Sequence, residues 1–89
     1  MATPSAKHAT FASRSIKGVG VGDVPGIGDK SKERLSKEKI TKAQQLLGHF
    51  LILDMDKEKF KDFLQKFGMN EKQQTDAFNA VNDWAEQHL

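Results

Sequence analysis

The sequence predicts an all-α protein, a bundle of five to six short helices forming a single domain over residues 1–89. Three observations predict it. Beyond residue 40 the apolar residues recur at i, i+3, i+4 and i+7, the period of one helix face. Thr3, Thr41, Asp56 and Asn70 stand where N-caps belong, and Gly68 where a helix should stop. No stretch alternates with period two, and there is no internal repeat or low-complexity tail.

Thr3-Pro4 reads as an N-cap followed by proline at the first helical position, after a frayed Met1-Ala2. A short helix through Lys7 and His8 follows, anchored by Phe11. Residues 13–22 carry Gly18, Gly20 and Gly22 without periodicity and read as a loop. Gly18-Val19-Gly20-Val21-Gly22 is not a dinucleotide-binding loop, because no strand precedes it. Residues 23–26 form at most one turn, limited by Pro25. A helix from Asp29 to about Lys37 points Ile27 and Leu35 inward and Lys30, Lys32, Arg34 and Lys37 outward. Ile40 begins the next apolar surface.

Thr41 should cap a helix over residues 42–53 with Ala43, Leu46, Leu47, Phe50, Leu51 and Leu53 as its stripe. Asp56 should cap residues 57–67, with Phe60, Phe63, Leu64 and Phe67 on one face. Asn70 opens the last helix, whose stripe is Ala77, Phe78, Val81, Trp84 and Ala85.

Composition narrows the function. Charged residues make up 29% and hydrophobic ones 37%, a polar chain outside the disordered range. There is no cysteine, so neither a disulfide nor a zinc finger can staple so small a core. Self-association is the remaining route, and a homo-oligomer is expected. The sequence has no secretory apolar region and no long apolar run, so a soluble protein without membrane insertion is expected. The net charge of +2 hides an asymmetry: residues 1–48 hold nine Lys/Arg and four Asp/Glu, residues 49–89 five and eight. A basic half suits a polyanion, and an acidic half leaves room for another partner.

No catalytic constellation is legible. His8, His49 and His88 are far apart, with no metal-binding spacing. Asp54, Asp56 and Glu58 alternate like a calcium loop but lack its glycine and terminal glutamate, and read more simply as a helix start. No enzyme, cofactor or metal is expected.

The informative stretch is Val24-Pro25-Gly26-Ile27-Gly28-Asp29 with the basic run behind it. Two glycines at a helix start expose backbone N–H groups, where an anion such as a DNA phosphate can be held. Ile27 would plug the hairpin into the core, while Lys30 and Arg34 would reach along the phosphate backbone. Residues 30–42 hold six Lys/Arg against two Glu. A tight helix–helix turn with a solvated basic face is the alternative reading of the same residues. Lys72, in the first turn of its helix, opposes the dipole there and hints at a use other than stability.

Gly48 interrupts a strong helix at a cost of about 1 kcal/mol against alanine. It marks either close approach of a partner's backbone or tight packing within one subunit. If exposed, Leu47, Gly48 and Ile52 form a patch that wants a partner, with Ile40 on its flank. Thr3 and Ser5 are candidate phosphorylation sites beside Lys7; simple capping is the alternative.

Taken together, Lys7-His8, Phe11, Val21-Gly22, Gly26-Ile27-Gly28, Leu35, Lys42-Ala43, the run Leu47-Gly48-His49-Phe50-Leu51-Ile52-Leu53, Phe60, Leu64 and Asn82-Asp83-Trp84-Ala85 resemble the barrier-to-autointegration factor family. The match runs from about Lys7 to the C-terminus with one small gap near Phe67. The resemblance implies a helix–hairpin–helix in a symmetric homodimer that binds double-stranded DNA without sequence preference and bridges two duplexes. It implies a nuclear protein of chromatin and the nuclear envelope, with the cytoplasm as a further compartment. LEM-domain proteins, lamins and histones are the implied protein partners.

By position, Lys7, Gly26, Gly28, Arg34 and Lys72 match the family's DNA-contacting set. Ile40, Leu47, Gly48 and Ile52 match its dimer and LEM groove, and Ser5 a phosphorylated position. The chain departs from the pattern at Ala9 and Thr75, where the family has basic residues. It departs again at Asp54-Met55, in place of two lysines, at Lys59, in place of a groove leucine, and in lacking cysteine. A helical protein-interaction adaptor with weak or lost DNA binding is therefore the alternative function.

Overall fold

The computed structural model describes residues 6–89, with side chains from His8 onward. Thr3, Ser5 and the side chain of Lys7 lie outside the described residues. Among those described are five α-helices, α1 (Ala6–Ser13), α2 (Asp29–Lys37), α3 (Ala43–Ile52), α4 (Lys57–Gln65) and α5 (Glu71–His88), and one 3-10 turn, Val21–Asp23. The fold is all-α, as the periodicity requires. No described helix is long and apolar enough to cross a membrane.

The apolar stripes converge on one core. Leu35, Leu46, Phe50, Phe60, Leu64 and Ala77 are fully buried. Each large side chain among them is worth about 1.5–3 kcal/mol of transfer free energy. Phe50 sits edge-on to Phe60 with ring centroids 4.9 Å apart, joining α3 to α4. Leu51 and Ile52, at the end of α3, stay outside this core.

The caps hold α4 and α5 as expected. Asp56 Oδ1 accepts from Lys59 N at 2.9 Å. Asn70 Oδ1 accepts from Gln73 N at 2.9 Å, and Gln73 Oε1 accepts from Asn70 N at 2.9 Å, a reciprocal box. Gly68 adopts φ +79, the left-handed conformation that ends the turn after α4 cheaply only without a side chain. The α4 helix stops at Gln65, two residues short of the expected end. Between α4 and α5 the Glu71 carboxylate, hydrogen-bonded to the Lys61 ammonium, raises the Lys61 pKa above its ordinary 10.5.

Two further readings are corrected. Thr41 is not the cap of α3. Lys42 occupies that position, and Gln45 Oε1 reaches back to accept from Thr41 N at 2.8 Å and Lys42 N at 3.0 Å. Gln45 thus satisfies the two backbone donors just before the helix, and the Thr41 hydroxyl donates to the same Oε1 at 3.3 Å instead of accepting from a helix amide.

Residues 13–22 are also more than a loop. Val19 and Val21 are buried, at 2% and 0% exposure. Their backbone pairs with the start of α3, Val21 N donating to Thr41 O at 3.0 Å and Ala43 N to Val19 O at 2.9 Å. The glycines around the two valines hid a tertiary anchor that helical periodicity could not reveal.

The N-terminal helix is clasped to α5 by polar side chains. His8 Nε2 lies 2.7 Å from Asp83 Oδ2. Trp84 Nε1 donates to Arg14 O at 2.8 Å, and His88 Nε2 lies 3.1 Å from Ala12 O while its ring stacks on Trp84. Trp84 is thus a packing residue with a polar handle.

Gly26 joins the hairpin to the longest helix. Its φ is +88, and a Cβ built on it would collide with Gln73 O and crowd Ala77 N, both backbone atoms of α5. Gly26→Ala should destabilise the domain by about 3 kcal/mol, through left-handed strain and overpacking together. Urea unfolding followed by circular dichroism would read this, and an unchanged midpoint would refute the packing account.

Candidate nucleic-acid interface

The 3-10 turn ends at Asp23, Val24 N donates to Val21 O at 3.2 Å, and Ile27 N donates to Val24 O at 3.1 Å. These bonds fold Val24 to Gly28 into a tight turn that delivers the chain to α2. Ile27, 4% exposed, plugs the turn into the core as the sequence suggests. A single 3-10 turn, rather than a full α-helix, precedes the turn.

Gly26 and Gly28 do different jobs. Gly26 is required by the α5 backbone behind it. Gly28 has an ordinary φ of −91, is exposed, and would meet nothing within 4 Å if it carried a Cβ. It occupies the N-cap position of α2, and no side chain caps that helix start. The first helical bond is Lys32 N to Gly28 O at 2.9 Å, so the amides of residues 29–31 precede it. A helix start of this kind carries partial positive charge.

A concavity of about 280 Å³ opens over this start, lined by Gly28, Asp29, Lys30, Ser31, Arg34, Gly68 and Gln73. It brings together the expected Gly28, Lys30 and Arg34. Lys30 is exposed at its rim. Arg34 is held: Nη1 donates to Phe67 O at 3.3 Å, tying α2 to the turn between α4 and α5. The Asp29 carboxylate also lines the concavity and lowers its net positive charge while favouring the helix dipole.

Lys72, at the start of α5, pairs with Asp76 Oδ2 at 3.0 Å one turn on, and its side chain remains 84% exposed. An exposed i, i+4 pair of this sort is worth only a few tenths of a kcal/mol, so it restrains Lys72 weakly. Lys32, read from the sequence only as an outward cation, lies across the 3-10 turn. A Cβ on Gly22 would come within 2.8 Å of its Cδ.

The second set of residues separates by burial. Ile40 and Leu47 belong to the core, 4% and 8% exposed, whereas Ile52 is 80% and Leu51 41% exposed. Gly48, partly exposed on α3, would meet nothing within 4 Å if it carried a Cβ. Tight packing within the subunit is therefore not its reason, which removes one of the two readings of that glycine. The outer surface of α3 is Gly48 with Leu51 and Ile52, floored by Leu47. His49, beside it, stacks on Phe63 with centroids 4.9 Å apart.

These features define a small helical domain with a glycine-built, uncapped helix start beside basic side chains. Comparison with known proteins gives its family. The model of the barrier to autointegration factor family matches residues 2–88. Barrier-to-autointegration factor of Mus musculus is 35% identical over 88 residues, 98% of this chain and 99% of that protein. The Drosophila melanogaster protein of the same name is 33% identical over 90 residues, 100% of both chains. That of Homo sapiens is 33% identical over 88 residues, again 98% of this chain and 99% of that one. The chain belongs to the barrier-to-autointegration factor family.

Sequence reading missed the hydrogen bond of Arg34 to Phe67 O and the burial of Ser31, 5% exposed, on the inner face of α2. The one available signal for Ser31 was its place between Ile27 and Leu35 at helical spacing. Gly28→Ala, in open space, should cost about 1 kcal/mol or less, the price of a poorer N-cap. Chemical denaturation of this variant beside Gly26→Ala should separate the two glycines cleanly; equal losses would show that they share one role.

Proposed function

We propose that this protein binds double-stranded DNA through its phosphate backbone, without sequence preference, and bridges two duplexes as a homodimer. It acts by binding alone, as a chromatin protein of the nucleus rather than an enzyme. The observation that carries this reading is the start of α2. Its N-cap is an exposed glycine with open space above it, no side chain caps it, and Lys30 and Arg34 border the same concavity. A phosphate oxygen suits the amides there, and the cations suit the remaining charge. Family membership supports the same partner class. Residue by residue, Lys7, Gly26, Ile27, Gly28, Lys30, Arg34 and Lys72 form the proposed DNA-binding set, Gly26 and Ile27 by shaping the turn that presents the others. LEM-domain proteins, lamins and histones are the protein partners that the resemblance implies.

Dimerisation is proposed through α3. Gly48 has no packing reason inside the subunit, and Leu51 and Ile52 lie exposed beside it. Burying such a patch against a second copy gives the small core the support it lacks internally.

The adaptor reading is favoured by the replacements at Ala9, Thr75, Asp54 and Lys59 and by the Lys72–Asp76 pair. One titration decides between the two. A random-sequence duplex, titrated at several salt concentrations, should bind with a log–log slope of about −4, for four or five phosphate contacts per site. Gly28→Glu and Arg34→Glu should each abolish the binding while helicity is retained. No binding at low salt would leave the adaptor.

For the dimer, sedimentation at micromolar concentration should give twice the 9.9 kDa chain mass. Gly48→Glu should return it to the monomer, and a monomeric wild type would refute bridging.

A further inference from the structure

Resting on the phosphate-binding reading above, we propose that Gly68 is the positioning residue for Arg34, a seat without which this cation cannot face the uncapped start of α2. Arg34 leaves α2 about one and two-thirds turns after Gly28. A long side chain at that point would ordinarily be dispersed over many rotamers in solvent, and ordering it carries an entropic cost. Here the turn between α4 and α5 orders it in advance. Arg34 Nη1 donates to Phe67 O at 3.3 Å. The guanidinium lies directly against Gly68, where an added Cβ would collide with Nη1 and crowd Cζ at 2.9 Å.

Gly68 and Arg34 both line the concavity over α2. The atom displaced by a side chain at position 68 is therefore the end of a flexible arginine, not the backbone. A substitution there should move the cation rather than unpack the core. One donor of the guanidinium is spent on Phe67 O, and the planar fork leaves others for a phosphate. The glycine is thus doubly specified. It turns the chain from α4 toward α5 with a positive φ, and it leaves the space that Arg34 fills.

The test is a double-mutant cycle on the full chain with a random-sequence duplex as probe: wild type, Gly68→Ala, Arg34→Ala and the double variant. Gly68→Ala in the wild-type background should weaken binding about tenfold and reduce the magnitude of the salt slope by about one, the loss of a single phosphate contact. In the Arg34→Ala background the same change should leave affinity and slope unaltered. A purely structural effect would weaken binding equally in both backgrounds and leave the slope alone, and that result overturns the proposal.

Wild-type protein that binds no duplex would instead overturn the DNA-binding reading on which this rests. The folded wild type supplies a second measurement if Gly68→Ala fails to fold. Nuclear Overhauser contacts between the Arg34 guanidinium and the Gly68 α-protons are expected, and their absence refutes the seat.

Discussion

The contact on which the rest depends is the approach of Gly26 to the backbone of α5. A Cβ there would collide with Gln73 O and crowd Ala77 N, so the turn can lie on α5 only without a side chain. That approach fixes the distance between the turn and the longest helix. Ile27, buried beside it, fixes the rotation. With both set, Gly28 emerges into open space and α2 leaves in one direction. The concavity over its start is completed from α5 by Gln73 and from the α4–α5 turn by Gly68. The two glycines are one residue apart on either side of Ile27, yet one serves packing and the other access.

Charge follows this geometry. Among the described residues, Lys30 and Arg34 of α2 border the concavity over a helix start that no side chain caps. The acidic residues gather elsewhere: Glu58, Asp62 and Glu71 border a separate concavity between α4 and α5, with the Lys61–Glu71 pair inside it. A net charge of +2 thus conceals two surfaces of opposite character. Long-range attraction for a polyanion would act on the first and orient the molecule before contact.

The elements that sequence revealed best are those with both period and punctuation. The last two helices have stripes and an N-cap, and their caps are made by the residues expected, Asp56 and Asn70, though α4 ends before Gly68. The basic helix Asp29–Lys37 was also legible to its ends. What was illegible depends on distant partners. Val19 and Val21 gain their burial from the start of α3, and nothing in the glycine-rich segment announces that partner. Thr41 is not the cap because α3 starts one residue later, after Lys42, and the Thr41 hydroxyl donates to Gln45 Oε1 instead. At the candidate site the glycines and cations could be listed in advance. The division of labour between Gly26 and Gly28, and the seating of Arg34, required α5 and the α4–α5 turn to be in place.

The bare start of α2 also bears on how such a domain could be made sturdier. Helix starts are among the first places to add stability, since serine, threonine or aspartate at the N-cap typically contributes about 1 kcal/mol. At position 28 that change would engage the amides of the first turn from within, and aspartate would add a negative charge where the proposed phosphate would sit. Robustness and reception compete for the same few N–H groups. A sequence optimised for melting temperature alone would close this site first, so a glycine there is a marginal loss of stability that leaves the helix start open.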